Sequence, residues 1–233
     1  MIFLKIDTHV HSNGISKCSR VTYQEIIDRK IAGGYGGAVL MNHCQHWYYE
    51  PENLDSWKEE FILEYESAYE YAKQKNFKLM FGIEVSVSEP RWADFLIFGV
   101  TKEFIRLAPD LCRISQKELF EYCENFGALL VQAHPFRLRH EPIDSAYMHG
   151  LEINTQPTDL HNKNLVIKQA NENGLFIIAG TDYHDNTADN RSGIIVPDDI
   201  ENSVDLAKYL KKATYTEVFI HDIVQKFDKN IIL

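Results

Sequence analysis

Apolar and polar positions fall into short apolar runs, each followed by an amphipathic stretch. Residues 2–7 form a β-like run. Residues 22–32 read as a helix, with Thr22 and Glu25 spaced as a capping box and Gly33-Gly34 ending it. Residues 38–42 are strand-like. Residues 54–75 carry the clearest helical period: Trp57, Phe61, Tyr65, Ala68, Tyr69 and Ala72 share one stripe, and Glu59, Glu60, Glu66 and Lys73 lie largely off it. Strands are predicted at 78–85 and 92–100, then a helix at 115–126 with Ser115 and Glu118 as its capping box. Strands at 128–133 and 151–154, a helix at 160–173, a strand at 175–180, a helix at 199–212 and a final strand at 214–220 complete the pattern. Near-continuous apolar strands alternating with helices predict an α/β fold with a parallel sheet covered by helices. Roughly seven such units favour a closed barrel, with an open doubly wound sheet as the alternative; in either, ligands bind where strands end.

No Pro-, Ser- or Gly-rich linker, charge block or repeat divides the 233 residues, so residues 1–233 read as a single domain. The apolar runs fall far short of the ~20 residues that cross a bilayer. The first residues lack a signal-peptide pattern. The expectation is a cytoplasmic chain with no membrane partner. Cys18, Cys44, Cys112 and Cys123 show no CxxC spacing and read as free thiols. A net charge of −10 sets the average surface against polyanions, so nucleic acid is expected to be a poor partner. The sequence does not specify an oligomeric state.

The ten histidines matter for where they fall. In Asp7-Thr8-His9-Val10-His11, strand alternation puts Asp7, His9 and His11 on one face. Two imidazoles projecting together at a strand end can chelate a cation. The arrangement then repeats: the run 38–42 ends in His43, 79–83 in Glu84, 129–133 in His134 and 177–181 in Asp182, with His184 two residues on. Any one of these is explained as a satisfied polar residue. Gathering them at one end of a fold needs a partner for the ionisable groups, and a divalent cation supplies it. Such nitrogen and oxygen donors suit Zn²⁺, Mn²⁺ or Fe²⁺.

These segments, together with Asn42-His43, Gly82-Ile83-Glu84, Ala133-His134-Pro135 and Gly180-Thr181-Asp182-Tyr183-His184, resemble in order and strand context those of the PHP (polymerase and histidinol phosphatase) family. The resemblance runs from Asp7 to at least His184, and its specificity lies in the ordered set. It implies a distorted seven-stranded (β/α)7 TIM-like barrel, a cluster of two or three metals and phosphoester hydrolysis. Matched position by position, it implies that His9, His11, Glu84 and Asp182 hold a first metal. Glu84 would bridge to a second, bound also by His134, and His43 and His184 would belong to a third site. The activity implied is that of a phosphatase or phosphoesterase acting on a small phosphorylated metabolite through a metal-activated hydroxide. His184 or His43 is then placed to protonate the leaving group, and Arg137 to grip the phosphate. Arg139, Arg20 and Lys17 are weaker candidates.

The sequence departs from the family pattern in three places. Ser16 and Lys17 stand where an acidic residue or histidine usually serves the third site; Cys18, next along, is a soft donor. Asp94 stands where a ligand histidine usually begins a strand, and its carboxylate keeps it a candidate for the second site. Asn42 replaces an aspartate before His43. A two-metal centre, or a weak third site, is the expectation. Glu152, at another strand end, reads as a residue that orients a ligand histidine or caps a loop. The aromatic loop 46–49 either stacks on a base or sugar or packs on the following helix. His46, His140, His149, His161 and His221 lie off the pattern and read as surface residues. A nuclease of the same family, an amidohydrolase-like enzyme cleaving C–N bonds and a non-catalytic metal-binding barrel are the alternatives.

Overall fold

In a computed structural model, which describes residues 2–137, 142–186 and 191–229, the opening apolar run becomes strand β1 (Phe3–Val10), exposed at its start and buried at its end. Helix α1 (Tyr23–Ala32) follows, and Thr22 and Glu25 form the expected capping box. Next come β2 (Gly37–Leu40), β3 (His43–Cys44) and the long α2 (Leu54–Gln74). Strands β4 (Lys78–Phe81), β5 (Ile83–Val87) and β6 (Ala93–Phe98) precede two helices, α3 (Lys102–Leu107) and α4 (Gln116–Phe126). Then follow β7 (Leu129–Gln132), β8 (Gly150–Asn154), α5 (Lys163–Asn173) and β9 (Phe176–Gly180). The chain closes with β10 (Ser192–Pro197), α6 (Ser203–Lys212), β11 (Tyr215–Ile220) and β12 (Ile223–Asp228).

The strands form two six-stranded sheets, ordered β12-β11-β10-β1-β2-β4 and β3-β5-β6-β7-β8-β9. Two of the passages from one sheet to the other are very short. Only Met41 and Asn42 separate β2 from β3, and only Gly82 separates β4 from β5. Gly82 has no room for a side chain, since a Cβ there would lie 2.3 Å from Met41 Sδ. Hydrogen bonds carry across the bend, from Gly82 N to Leu40 O (3.1 Å) and from Glu84 N to Asn42 O (3.1 Å). On the other side, Val10 forms a parallel bridge with Tyr183, just past β9. His11 N donates to Tyr183 O (3.0 Å) and Tyr183 N to His9 O (3.2 Å).

The purely parallel sheet expected from the sequence is not what forms; both sheets are mixed. Strand β6 runs antiparallel to β5 and β7, and β10, β11 and β12 add antiparallel pairs beside β1. The link 88–92 between β5 and β6 is shorter than the roughly dozen residues a parallel crossover needs. Because β6 is reversed, its first residues lie at the end where its parallel neighbours finish, and Asp94 pairs with Ser86. Helix α3 and strands β10 and β12 are additional to the sequence reading. On α2, Trp57, Phe61, Ala68 and Ala72 are buried, whereas Tyr69, at the edge of the stripe, is 40% exposed. Among the described residues, no helix is long and apolar enough to cross a membrane.

Candidate metal centre

The strand ends bring the ionisable side chains together. His9 lies in the last turns of β1 and His11 just beyond it. His43 opens β3, Glu84 lies in β5 and Asp94 in β6. His134 follows β7, and Asp182 and His184 follow β9. Three groups of donors each have their atoms within 4.8 Å of one another: His9, His11, Glu84 and Asp182; Glu84, Asp94 and His134; and His11, His43 and His184. All eight metal-ligand candidates fall in these groups. Asp7, on the same strand face, does not; its carboxylate pairs with buried Lys30 (2.5 Å) and accepts from Thr181 Oγ1 (2.6 Å).

Glu84 stands at the junction. Its Oε2 lies 3.2 Å from His9 Nε2, 3.3 Å from His11 Nε2 and 3.0 Å from His43 Nδ1. Its Oε1 faces the other way, 3.2 Å from His134 Nε2. Asp182 Oδ1 closes the first group at 3.4 and 3.3 Å from His9 and His11 Nε2. Asp94 Oδ2 is 3.9 Å from His134 Nε2, and its other oxygen accepts from Ser86. Both His134 (φ 30°) and Asp182 (φ 52°) adopt left-handed backbone. For residues other than glycine this costs on the order of 1–3 kcal/mol and is a recurrent feature of functional sites.

A buried carboxylate orients the imidazoles. His9 Nδ1 donates to Glu152 Oε1 (2.8 Å), because an ionised carboxylate can only accept, and this leaves Nε2 facing the cluster. Glu152 Oε2 accepts from His134 N (3.0 Å) and Asn154 Nδ2 (3.2 Å). The approach requires glycine at position 180, where a Cβ would lie 2.5 Å from Glu152 Oε1 and 2.6 Å from His9 Cβ. Both readings of Glu152 from sequence fit the geometry: one oxygen orients His9 and the other caps the loop at His134.

Burial opposes every charge in this cluster, and neighbouring charges override it at most positions. Glu152, Glu84 and Asp182 raise His9 well above the usual histidine range. Burial and the charges of His184 and His43 push His11 well below it. Despite burial, His43 rises to about 10 beside Glu84, and His184 to about 10 against Asp182. Against the same burial, the surrounding histidines hold Glu84 and Asp182 well below the carboxylate range. Burial and the charge of Glu84 raise Asp94. Raised His9, His43 and His184 thus face lowered Glu84 and Asp182, a charge pattern that a cation can replace on loss of the imidazole protons.

The cluster opens into a cavity of about 540 Å³ bordered by Lys17, Cys18, Gln45, Trp47, Tyr48 and Arg137 among others. Arg137 lies between Asp159 Oδ2 (2.5 Å) and Asp182 Oδ2 (2.7 Å), yet its side chain keeps 32% exposure. The aromatic loop divides: Tyr49 packs on Trp57 of α2, while exposed Trp47 stacks on Trp92 at 5.4 Å. Asn42 is used in ordering the loop after β1. Its Oδ1 accepts from Ser12 N (2.8 Å) and Ser16 Oγ (3.0 Å), and its Nδ2 donates to Ser12 Oγ (2.9 Å). His149 is not a surface residue: Nδ1 accepts from Leu130 N (3.0 Å) and Nε2 donates to Glu124 (3.0 Å), tying α4 to β7. Arg20, His46, His161 and His221 are exposed, and Arg139 and His140 lie outside the described residues.

No family model and no curated protein matches the chain. Solved structures do. A two-domain protein from Bacteroides vulgatus, containing a predicted PHP-like metal-dependent phosphoesterase, aligns over 96% of this chain and 66% of its own, with a TM-score of 0.64 and 17% identity. The fold is PHP-like. A Bifidobacterium adolescentis protein described as a metal-dependent phosphoesterase aligns over 88% of this chain and 95% of its own (TM-score 0.56, 11% identity). Endonuclease Q of Pyrococcus furiosus aligns over 90% and 56% (TM-score 0.59, 14% identity). The PHP-like chain thus spans just under two thirds of the first of these proteins and little more than half of the endonuclease.

Endonuclease Q is also known bound to a 27-mer duplex with an abasic lesion at the active site. This overturns the expectation that nucleic acid is a poor partner. Net charge describes a surface average, whereas a phosphate meets the local field of the site, where metal-type clusters and cationic side chains decide.

Proposed function

We propose that the chain is a metal-dependent phosphoester hydrolase. His9, His11, Glu84 and Asp182 would hold one divalent cation of the zinc, manganese or iron class, and Glu84, Asp94 and His134 a second, with His43 and His184 at a third position. The observation that carries this reading is Glu84, whose two oxygens face separate donor groups; one carboxylate has lone pairs enough for two cations. When bound, such ions supply Lewis acidity at phosphoryl oxygens and lower the pKa of water. Arg137 positions the phosphate through its planar fork, held in place by Asp159 and Asp182. Where the third position holds no cation, His184 or His43, each raised to about 10 and bordering the cavity, is the donor for the leaving oxygen.

The proposed architecture is a distorted seven-strand TIM-like barrel forming a single domain. The bends at β2–β3 and β4–β5 and the hydrogen bonds between β1 and the end of β9 support it. A cavity of about 540 Å³ suits a small phosphorylated metabolite. A nuclease activity is the second reading, favoured by the likeness to Endonuclease Q. Release of inorganic phosphate from a panel of sugar, amino-alcohol and nucleotide phosphates with added Mn²⁺ tests the first; a labelled abasic duplex assayed alongside tests the second. Turnover of a small monoester is expected. Cleavage of the duplex alone would transfer the proposal to nucleic acid, and activity on neither would overturn both.

A further inference from the structure

The loop after β1 turns Cys18 back over the histidine cluster. Its Sγ lies 3.1 Å from His184 Nε2 and borders the same cavity as His43 and His184. His184 Nδ1 donates to the carbonyl of Asp182 (2.9 Å), which leaves Nε2 as the nitrogen facing the sulfur. The ring of His11 packs against both other imidazoles, with centroids 4.4 Å from His43 and 4.3 Å from His184. Two nitrogens here, His11 Nε2 and His43 Nδ1, are buried and lie 3.3 and 3.0 Å from Glu84 Oε2 without completing a hydrogen bond. A buried imidazole nitrogen with no completed hydrogen bond is costly, and the three rings crowd their donor atoms around one point. A cation answers both problems.

The loop offers this position no carboxylate. Ser16 is turned inward, its Oγ donating to Asn42 Oδ1 (3.0 Å) and accepting from His43 N (3.0 Å). The Lys17 ammonium lies over the Tyr48 ring, 5.1 Å from its centre. Ser16 Oγ also lies 3.4 Å from His11 Nδ1, on the far side of that ring from its cluster-facing nitrogen, whereas the sulfur is the group from this loop that meets His184.

We propose that Cys18 supplies a thiolate ligand to a cation held by His43 and His184, making this a borderline-soft N/S position that selects zinc-class ions over magnesium and manganese. The inference rests on the metal-centre reading above. Binding forms one S–metal bond and releases the thiol proton, with any proton on the ligating imidazole nitrogens, to solvent. No oxidant or reductant is involved.

Cobalt(II) tests it spectroscopically on the metal-free chain. Ligand-field bands in the visible report any bound Co²⁺, and a near-ultraviolet sulfur-to-cobalt charge-transfer band reports a thiolate ligand. The wild type is expected to show both, with the charge-transfer band resistant to excess Mg²⁺. Cys18→Ser should lose that band and weaken one equivalent of cobalt by roughly tenfold or more. Cys18→Asp should regain the equivalent without the band. The other cysteines are buried, and a band that survives in Cys18→Ser would overturn the assignment. Ligand-field bands without charge transfer in the wild type would overturn the role of Cys18 alone. No cobalt absorption at all would overturn the metal-centre reading as well.

Discussion

Glu84 is buried where four imidazoles converge, from His9, His11, His43 and His134. Its charge is tolerable there because His43, His9 and His134 favour it or because a cation shares it. Glu152 has a different task, since it holds His9 and the backbone of His134 without entering a donor group. Glu152→Gln should therefore weaken metal binding by roughly 10–100-fold while leaving every ligand in place. Competition against a chelator measures this, and an unchanged affinity would refute the orienting role. The titrations give a second expectation. His43 and His184 are raised to about 10 without metal, so cations must displace their protons, and affinity should rise with pH and level off only near about 10. Calorimetry in buffers of different ionisation enthalpy should show net proton release near neutral pH; none would contradict it. The same sign applies to stability: these two histidines stabilise the metal-free fold fully below about 6.5, and that contribution is lost as pH rises toward about 10. Seven of the eight donors were legible from sequence because they sit at or just past a recurring point, the end of an apolar run; Asp94, at the start of one, was reached only through the family resemblance. His149 was not, because its partners, Leu130 N and Glu124, lie on elements whose packing no local pattern reveals.

The secondary structure was legible where local chemistry sets it. Both capping boxes form, at Thr22 and Ser115, with Gly127 closing α4. Ser115→Ala should cost about 1 kcal/mol in urea unfolding and leave metal content unchanged. A wild-type midpoint would show that tertiary packing alone holds the helix start. Elements whose partners are distant escaped the sequence. Strand β12 is exposed or half-buried throughout and has no apolar signature. Strand β10 contains Gly193, ends in Pro197, and pairs with β1 from almost the other end of the chain. Helix α3 has only six residues, too few to display a period. Antiparallel β6 mattered most, because reversing it carries Asp94 from a strand's beginning to the end that bears the other ligands.

Across the molecule, residues from position 9 to position 184 converge because consecutive strands, parallel with one reversal, deliver their ends to one side. The overall charge of −10 gave the wrong guidance about nucleic acid, since it averages over a surface on which the site is a small part. The convergence itself, with Glu84 joining two cation positions, is the central claim. Its most direct test is the metal content of the purified chain after equilibration with Zn²⁺ or Mn²⁺ and removal of free ion, compared with Glu84→Gln. Two or three ions per wild-type chain are expected, with both Glu84-linked ions lost or loosely held in the variant. A wild type that retains no metal, or a Glu84→Gln chain that retains the full complement, would contradict it.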